Sequence, residues 1–450
     1  GHVLEEVRDV ERHGPHTRTC FSFLAYDLVM GKTFLIVAAI GLVFVLNAFF
    51  PRKDRVLLAP SFMAAWLTIE LAPWLLLWQC VGVAAFIAMG GLDDGQGWAG
   101  LVLAAMGAAG LGAIIGRSRK TVVTLRDATA DLEIGDDAPV FPRRLVLFPI
   151  LMRSRPGVTR RRNITFAEYG KKKIRLDVTA AADAAPGDRR PGILQIHGGG
   201  WVIGDKREQG LPLLNHLAAN GWVGINANYR LSPRAAFPDH LVDLKKAIAW
   251  YREHADEHGA DPDFLCVTGG SAGGHLCALV ALTANDPEYQ PGFEDVDTAV
   301  QAAVPFYGVY DFTNRNGTWH KDTVKRFFGP IIMKKKLADD PEAFAKASPL
   351  DRVRPDRPPF FVIHGDLDTL APVADAREFV RLLREASDAP VLYAEMQGAE
   401  HAFDIFPSFR TARVIEAVER FLHSVHQQYL AGREGEQVSE AETAEELVEN

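Results

Sequence analysis

Three long apolar stretches near the start of the chain dominate its hydrophobic pattern. Residues 33–50 carry no charge over roughly eighteen positions, and a helix of that length reaches about 27 Å, close to the hydrocarbon thickness of a bilayer. Residues 62–89 and 98–116 are similarly apolar, apart from Glu70. The alternative, three buried helices of a soluble domain, is disfavoured by the closeness of the runs. We predict three transmembrane helices after an N-terminal segment, residues 1–32.

The charges around these stretches predict an orientation. Basic residues follow the first and third stretches, namely Arg52, Lys53, Arg55, Arg117, Arg119 and Lys120. The turn between the second and third stretches holds Asp93 and Asp94 instead. Because cytoplasmic loops are enriched in Lys and Arg, we expect the N-terminus outside and everything after Gly116 in the cytoplasm. Glu70 is expected at a helix end in the interface, with a buried functional carboxylate as the alternative.

Two further segments are distinguished by charge. Residues 117–162 are rich in arginine and predict a basic connector or cap, whose cations either form a solvated face or contact anionic lipid headgroups. Residues 431–450 hold seven acidic residues and almost nothing apolar. Such a composition cannot bury enough apolar surface to fold, so we predict a disordered tail.

Between residues 163 and 430, short apolar runs alternate with helical periodicity. Such alternation is typical of an α/β domain, with a mostly parallel sheet flanked by helices. Residues 311–350 interrupt the alternation and predict a cap over the site. The predicted strands are 164–169, 173–178, 192–196, 222–226, 264–267, 300–305, 360–363 and 391–395, and the predicted helices include 239–258, 272–284 and 409–429.

Composition narrows the function classes. The chain has 450 residues with 48% apolar content, enough for a packed core, and its formal net charge of -8 gives no reason to expect nucleic-acid binding. Its cysteines, Cys20, Cys80, Cys266 and Cys277, have neither disulfide-framework nor zinc spacing. We expect no metal and no organic cofactor.

The central chemical motif is Gly269-Gly270-Ser271-Ala272-Gly273. It fits G-x-S-x-G, in which a serine on a sharp strand-to-helix turn exposes its hydroxyl. Gly269 and Gly273 have a steric role there, because a Cβ would collide where strand and helix pass closely. An ordinary Gly/Ser turn is the alternative, and it is disfavoured by the partner motifs elsewhere in the chain.

Each partner that a serine nucleophile needs has a candidate after a predicted strand. The glycines of His197-Gly198-Gly199-Gly200 allow close backbone approach to a substrate, so the N–H groups of Gly198, Gly199 and Ala272 are the predicted oxyanion hole. His401 is the predicted general base. Either Asp366 or Asp368 could orient it, and both preserve the Ser…Asp…His order of α/β-hydrolases.

Six motifs together carry a resemblance to a known family. They are HGGGW at 197–201, NYRLSP at 228–233, FPDHLVD at 237–243, GGSAGG at 269–274, HGDLDTLAP at 364–372 and EHAF at 400–403. Residues from about 165 to 430 therefore resemble the hormone-sensitive-lipase-like esterases of the α/β-hydrolase superfamily. The resemblance implies an α/β-hydrolase fold and selects Asp368 as the triad acid. The chain departs from that family at Gly270, where an acidic residue usually precedes the serine.

These inferences combine into one functional prediction. With its N-terminal spans, the chain is similar overall to membrane-anchored esterases of actinobacterial type. We predict a multi-pass membrane serine ester hydrolase of the carboxylesterase or lipase kind, with Ser271, Asp368 and His401 as its triad. Its expected substrates are small-molecule or lipid esters, and membrane lipids are its expected surroundings. The alternatives are an acyltransferase using the same acyl-enzyme, an amidase or formamidase, and a catalytically silent membrane scaffold.

Overall fold

The chain folds into two compact units that divide between Arg117 and Ser118. The computed structural model describes residues 15–54, 56–132, 140–142, 155–320 and 322–449. The division falls beside residue 116, where the sequence ends the predicted membrane region. The predicted N-terminal segment lies partly outside the described residues, and so does much of the basic connector.

Within the residues that the structure describes, the first unit contains four helices. Their bounds are α1 Pro15–Phe49, α2 Leu58–Glu70, α3 Ala72–Ala88 and α4 Gly95–Arg119. Two helical stretches, Met30–Phe49 and Gly95–Ala128, are long and apolar enough to cross a membrane, and the bent pair α2 and α3 would make a third crossing if it counts as one span.

The middle predicted span, 62–89, is not the single helix that the sequence predicts. It forms α2 and α3, which meet at Leu71 with a bend of 84°. Pro73 lies in the first turn of α3, where a missing N–H breaks no helical hydrogen bond. A proline at this position would break a continuous helix, which explains why a new helix begins here.

The contacts within this unit define the directions of its helices. A Cβ on Gly100 of α4 would lie 2.9 Å from the backbone nitrogen of Leu35 in α1, and one on Gly110 would meet Val45. The residue numbers in the two contacts increase together along α1 and α4, so these helices run parallel. Phe86 of α3 stacks on Phe34 with ring centroids 4.9 Å apart. The Gln79 amide donates to the Ala104 carbonyl at 2.5 Å, so α3 runs antiparallel to both.

The second unit is built on one sheet of eight strands in the order β1-β2-β4-β3-β5-β6-β7-β8. The first two strands pair antiparallel, β2 pairs antiparallel with β4, and every later pairing is parallel. The strands are β1 Val158–Tyr169, β2 Lys172–Ala181, β3 Arg190–Ile196, β4 Val223–Ala227, β5 Ala260–Gly270, β6 Ala302–Phe306, β7 Phe360–Gly365 and β8 Val391–Met396. The predicted mostly parallel sheet is confirmed, and each predicted strand overlaps an observed one.

Helices cover both faces of this sheet. They are α5 Thr121–Ala128, α6 Leu211–Ala219, α7 Asp239–His254, α8 Ala272–Leu282, α9 Pro341–Lys346, α10 Val373–Ala386 and α11 Phe409–Glu449. Neighbouring residues of one strand enter different cores: Val362 belongs to the buried cluster that includes residues of α7, α8 and α10, whereas Phe361 belongs to the cluster that includes residues of α5, α6 and α11. This alternation follows from the two-residue period of a strand and explains the near-continuous apolar runs.

Two segments bear on other sequence predictions. The predicted cap, 311–350, contains α9 and a π-helix at Val324–Met333. The acidic tail does not match the predicted disorder, because α11 continues to Glu449. The tail is rich in Glu and Ala, whose high helix propensity supports a continued helix where apolar burial is lacking.

Candidate active site

The predicted chemical groups collect at one edge of the sheet. The loops that hold His197, Ser271, Asp368 and His401 follow β3, β5, β7 and β8 respectively. These four strands are parallel, so their carboxyl ends share an edge. Crevices outside the carboxyl ends of parallel strands are the usual ligand sites of open α/β sheets.

Ser271 has the strained backbone of a nucleophile elbow. Its φ is 59° and its ψ is -122°, between the end of β5 and the start of α8. The Ser271 N–H donates to the Phe306 carbonyl at 3.0 Å. A Cβ on Gly269 would lie 2.5 Å from the Gly273 carbonyl oxygen, which confirms the steric role predicted for the glycine. The hydroxyl therefore sits at a helix N-terminus, where backbone N–H groups favour negative charge.

His401 and Asp368 form a buried pair. The His401 Nδ1 lies 2.7 Å from Asp368 Oδ2, and both residues are almost fully buried. The other carboxylate oxygen accepts the backbone N–H groups of Leu370 at 2.8 Å and Ala371 at 2.7 Å. Both oxygens of Asp368 are thus held, which orients the imidazole through its Nδ1 atom.

His364 also contacts this carboxylate. Its Nε2 lies 3.2 Å from Asp368 Oδ2 and 3.1 Å from the Ala371 carbonyl. Burial pushes the pKa of Asp368 upward, but the charges and hydrogen bonds of His401 and His364 outweigh it and hold that pKa well below its usual range. Asp368 is therefore ionised at neutral pH.

Asp366 has a different contact. Its Oδ1 accepts the N–H of Gly398 at 2.7 Å, and its own N–H donates to the Met396 carbonyl at 3.2 Å. These bonds join the loop after β7 to the loop after β8. Asp366 thus supports the loop on which His401 is carried, while Asp368 contacts the imidazole itself.

The glycine loop passes beside the serine, but one predicted donor is already engaged. A Cβ on Gly198 would lie 3.1 Å from the Ser271 Cβ. The Gly198 N–H donates to Gln209 Oε1 at 2.6 Å. In this structure it is therefore not available to an oxyanion, in contrast to the prediction. Among the described residues, the N–H groups of Gly199, Gly200 and Ala272 donate to no protein acceptor. Gly200 was not singled out from the sequence, although it belongs to the same motif.

Three other histidines have structural contacts. His197 Nδ1 lies 2.8 Å from the Gly198 carbonyl, and His240 Nε2 lies 3.1 Å from Ser232 Oγ. His275 accepts from the Trp201 indole at 3.2 Å and contacts the Ala347 carbonyl at 2.7 Å. Burial lowers the pKa of His275 to about 3, which keeps it neutral.

Glu400 is a neighbour of the pair that the sequence did not single out. Its Oε1 accepts the N–H groups of Thr369 at 2.7 Å and His401 at 3.0 Å. Burial, and then the charge of Asp368, raise the pKa of Glu400 to about 7. Its position directly before His401 is the one sequence signal that could have marked it. Within the described part of the chain, no group of three or more His, Cys, Asp or Glu side chains could hold a metal ion.

Comparison with known proteins identifies similar esterases. The BD-FAE family matches residues 176–383. The probable carboxylic ester hydrolase LipM of Mycobacterium tuberculosis is 47% identical over 60% of this chain and 63% of its own length. The esterase LipC of the same organism is 42% identical over 61% of this chain and 67% of its own length. The chain belongs to the α/β-hydrolase carboxylesterases.

A solved structure gives the same relationship at the level of the fold. A thermophilic esterase from Thermogutta terrifontis, described as Est2 with butyrate bound, has a TM-score of 0.52 and 25% identity over 60% of this chain and 95% of its own. The BD-FAE match includes Ser271 and Asp368 but ends before His401. The chain spans just under two thirds of LipM.

Proposed function

We propose that this carboxylesterase is a membrane-anchored serine ester hydrolase, with Ser271, His401 and Asp368 as its catalytic triad. The observation that carries the proposal is the 2.7 Å contact between His401 Nδ1 and Asp368 Oδ2, made by loops at the same sheet edge as the Ser271 elbow. With Nδ1 held by a carboxylate, Nε2 is the ring nitrogen that takes the serine proton in a triad of this kind.

The reaction proceeds through an acyl-enzyme. Ser271 Oγ attacks the ester carbonyl carbon while His401 takes its proton, and the resulting oxyanion is held by the N–H groups of Gly199 and Ala272, with Gly200 as a further donor. The C–O bond to the alcohol breaks as His401 returns the proton to the leaving oxygen. A water molecule, deprotonated by His401, then attacks the acyl carbon. The bond from that carbon to Ser271 Oγ breaks as His401 returns the proton to Oγ, which releases the carboxylic acid and restores the serine.

Apolar side chains beside the glycine loop favour esters with an apolar acyl or alkyl group. Ile203 is 68% exposed, and a Cβ on Gly199 would lie 3.2 Å from its Cγ1. A Cβ on Gly200 would lie 3.4 Å from the ring edge of Phe327. An apolar group next to the bound carbonyl would cover these side chains, at about 0.8 kcal/mol per buried CH₂.

Hydrolysis of p-nitrophenyl esters from acetate to palmitate, by the full chain in detergent, tests the proposal. We expect kcat/KM to rise with acyl length to an optimum of modest length, and Ile203→Ser to lower it by about 3- to 10-fold for hexanoate but less for acetate, because fewer methylenes are buried. Leu430→Ser, at an exposed apolar position on α11, is the matched control.

Three outcomes of that series would redirect the proposal. Absence of hydrolysis at every chain length, together with no fluorophosphonate labelling of Ser271, would favour the silent scaffold. Acylated alcohol in excess of free acid, when an acceptor alcohol is added, would favour acyl transfer. Faster turnover of a matched anilide than of the ester would favour an amidase.

The helix directions in the first unit support three membrane crossings. Since α1 and α4 run parallel and α3 runs antiparallel to both, α3 would be the return crossing between the two parallel helices. The basic residues after α1 and at the end of α4 then share one side, and Asp93 and Asp94 lie on the other. The positive-inside rule places the basic side, and the catalytic unit that follows it, in the cytoplasm.

Cysteine labelling in intact cells tests this topology. In a variant with Cys20 and Cys80 replaced by serine, we expect a membrane-impermeant maleimide to label Asp93→Cys from outside. Ser387→Cys, in the catalytic unit, should be labelled only after permeabilisation, because a charged reagent does not cross the bilayer. Asp93 is chosen because Asp94 accepts the Gly97 N–H at 2.7 Å and caps α4. Labelling of Ser387→Cys from outside would show that the orientation is the reverse of the one proposed.

A further inference from the structure

The residue directly before the nucleophile leaves a space that another side chain fills. Gly270 lies at the end of β5, and a Cβ there would lie 2.6 Å from the Tyr307 Oη and 2.8 Å from its Cε2. Atoms of a real side chain do not approach so closely. The Tyr307 ring therefore occupies the volume that a side chain at position 270 would need.

Tyr307 contacts both arms of the proposed catalytic machinery. It follows Phe306, whose carbonyl accepts the Ser271 N–H at 3.0 Å. Its ring lies against the imidazole of His401, with ring centroids 4.5 Å apart and planes tilted by 56°. One residue thus joins the nucleophile elbow to the loop of the general base.

Several contacts hold Tyr307 in a conformation that a free chain would avoid. Its φ is 35°, in a left-handed region that a bulky residue rarely adopts. Its N–H donates to the Ile363 carbonyl at 2.7 Å, and its ring packs edge-on against Phe403 at 5.4 Å. Its hydroxyl donates to the carboxylate of Asp404. Strain of this kind persists only where the surroundings over-determine the position, and it is concentrated at functional sites.

Asp404 brings a further carboxylate to the same place. It lies three residues after His401, so its bond to Tyr307 ties the histidine loop to the end of β6. Desolvation raises the pKa of Asp404, and the nearby His401 acts in the opposite direction. The two groups therefore interact electrostatically, although Asp368 is the carboxylate that contacts Nδ1.

We propose that Tyr307, anchored by Asp404, is a positioning residue that holds the His401 imidazole at the correct distance and angle to Ser271 in the place left open by Gly270. This inference rests on the proposed function and goes beyond it. The hydrogen bond that His401 Nδ1–H donates to Asp368 fixes one ring nitrogen but does not by itself fix the plane of the imidazole. The Tyr307 ring restricts that plane, and a misplacement of about 1 Å at a reacting group costs about 10²-fold in rate.

The test compares Tyr307→Phe and Asp404→Asn with wild type in p-nitrophenyl butyrate hydrolysis, as kcat and KM per active site titrated with a fluorophosphonate. We expect kcat to fall by about 10- to 100-fold in both, with KM changed by less than about 3-fold, since substrate binding is untouched while the histidine geometry loosens. Titration of sites removes any loss that is caused merely by unfolded protein. Tyr310→Phe is the matched control, because its buried hydroxyl has no partner among the described residues.

The pH profile supplies a readout that a purely structural role would not move. The carboxyl groups that the described residues bring to His401 include those of Asp368, Glu400 and Asp404. Removing the negative charge of Asp404 destabilises the imidazolium, so we expect the acid limb of kcat/KM to move to lower pH in Asp404→Asn. Tyr307→Phe keeps that charge and serves as the comparison.

Gly270→Ala tests the shared volume directly. We expect it to lower kcat by about 10-fold in wild type but to change kcat by less than about 2-fold in a Tyr307→Ala background, where the ring is gone, because residues in contact are not additive. Wild-type kcat in Tyr307→Phe and Asp404→Asn, or an additive effect of Gly270→Ala, would overturn the inference. If the proposed function itself is wrong, the fluorophosphonate will not label Ser271 in the wild-type protein, and ester hydrolysis will not depend on Ser271.

Discussion

Replacement of Ser271 by alanine is expected to lower kcat for p-nitrophenyl butyrate by about 10⁴- to 10⁶-fold and to abolish labelling by a fluorophosphonate. The substitution removes the oxygen that forms the acyl-enzyme in the proposed mechanism, while the helix N-terminus and the N–H groups of the glycine loop stay in place. Serine hydrolases that lose one member of the triad retain only the rate enhancement of the oxyanion hole and of binding.

The control for this variant is Ser387→Ala. Ser387 lies between α10 and β8, where its hydroxyl accepts the Ala389 N–H at 3.2 Å, and its loss should leave kcat unchanged. Thermal unfolding of both variants checks that they are folded. We expect similar stabilities, because alanine at position 271 has to adopt the same strained φ as the serine. Substantial turnover in Ser271→Ala, or labelling of another serine in its place, would contradict the assignment of the nucleophile.

Replacement of Asp368 by asparagine is expected to lower kcat by about 10⁴-fold. An asparagine oxygen can still accept the N–H groups of Leu370 and Ala371, which now bond to Asp368 Oδ1. Its amide group would then face His401 and donate to Nδ1, which forces the wrong tautomer and leaves the base without its proton acceptor site. The same change in a serine protease triad has an effect of this size.

Asp366→Asn is the matched control for the acid, because the two aspartates lie in one loop and receive the same chemical change. Its oxygen can still accept the Gly398 N–H, now 2.7 Å away, so we expect kcat to stay within about 10-fold of wild type. Measured kcat and pH profiles of the two variants decide between them. A larger loss in Asp366→Asn than in Asp368→Asn would exchange their roles.

The strand pattern was predictable because its causes are local. Strands buried on both faces read as short apolar runs, and β3, β4, β7 and β8 begin and end within a few residues of the predicted positions. Strand β1 begins six residues earlier than predicted, at Val158. Its first half, Val158–Arg162, is mostly polar and exposed, so no apolar run marks it in the sequence.

Prediction and structure differ where the structure depends on contacts with other parts of the chain or on opposing local preferences. Apolar length alone did not reveal the break at Leu71, because hydropathy averages over a window that includes Pro73. The glycine motif did not reveal that the Gly198 N–H donates to the side chain of Gln209, eleven residues further along the chain. Acidic composition suggested a disordered tail, whereas the helix propensity of the same residues favours the continued α11.

By itself, the sequence determined the class of domain and the chemistry that the chain carries. Alternating apolar runs specify a parallel sheet. The glycines around Ser271 and after His197 allow close backbone approaches that a Cβ would block. Only the tertiary structure decided which groups touch. His401 meets Asp368 across 33 residues, and Tyr307 meets Asp404 across 97. Contacts at such separations depend on how strands and loops pack, and no local pattern in the chain records them.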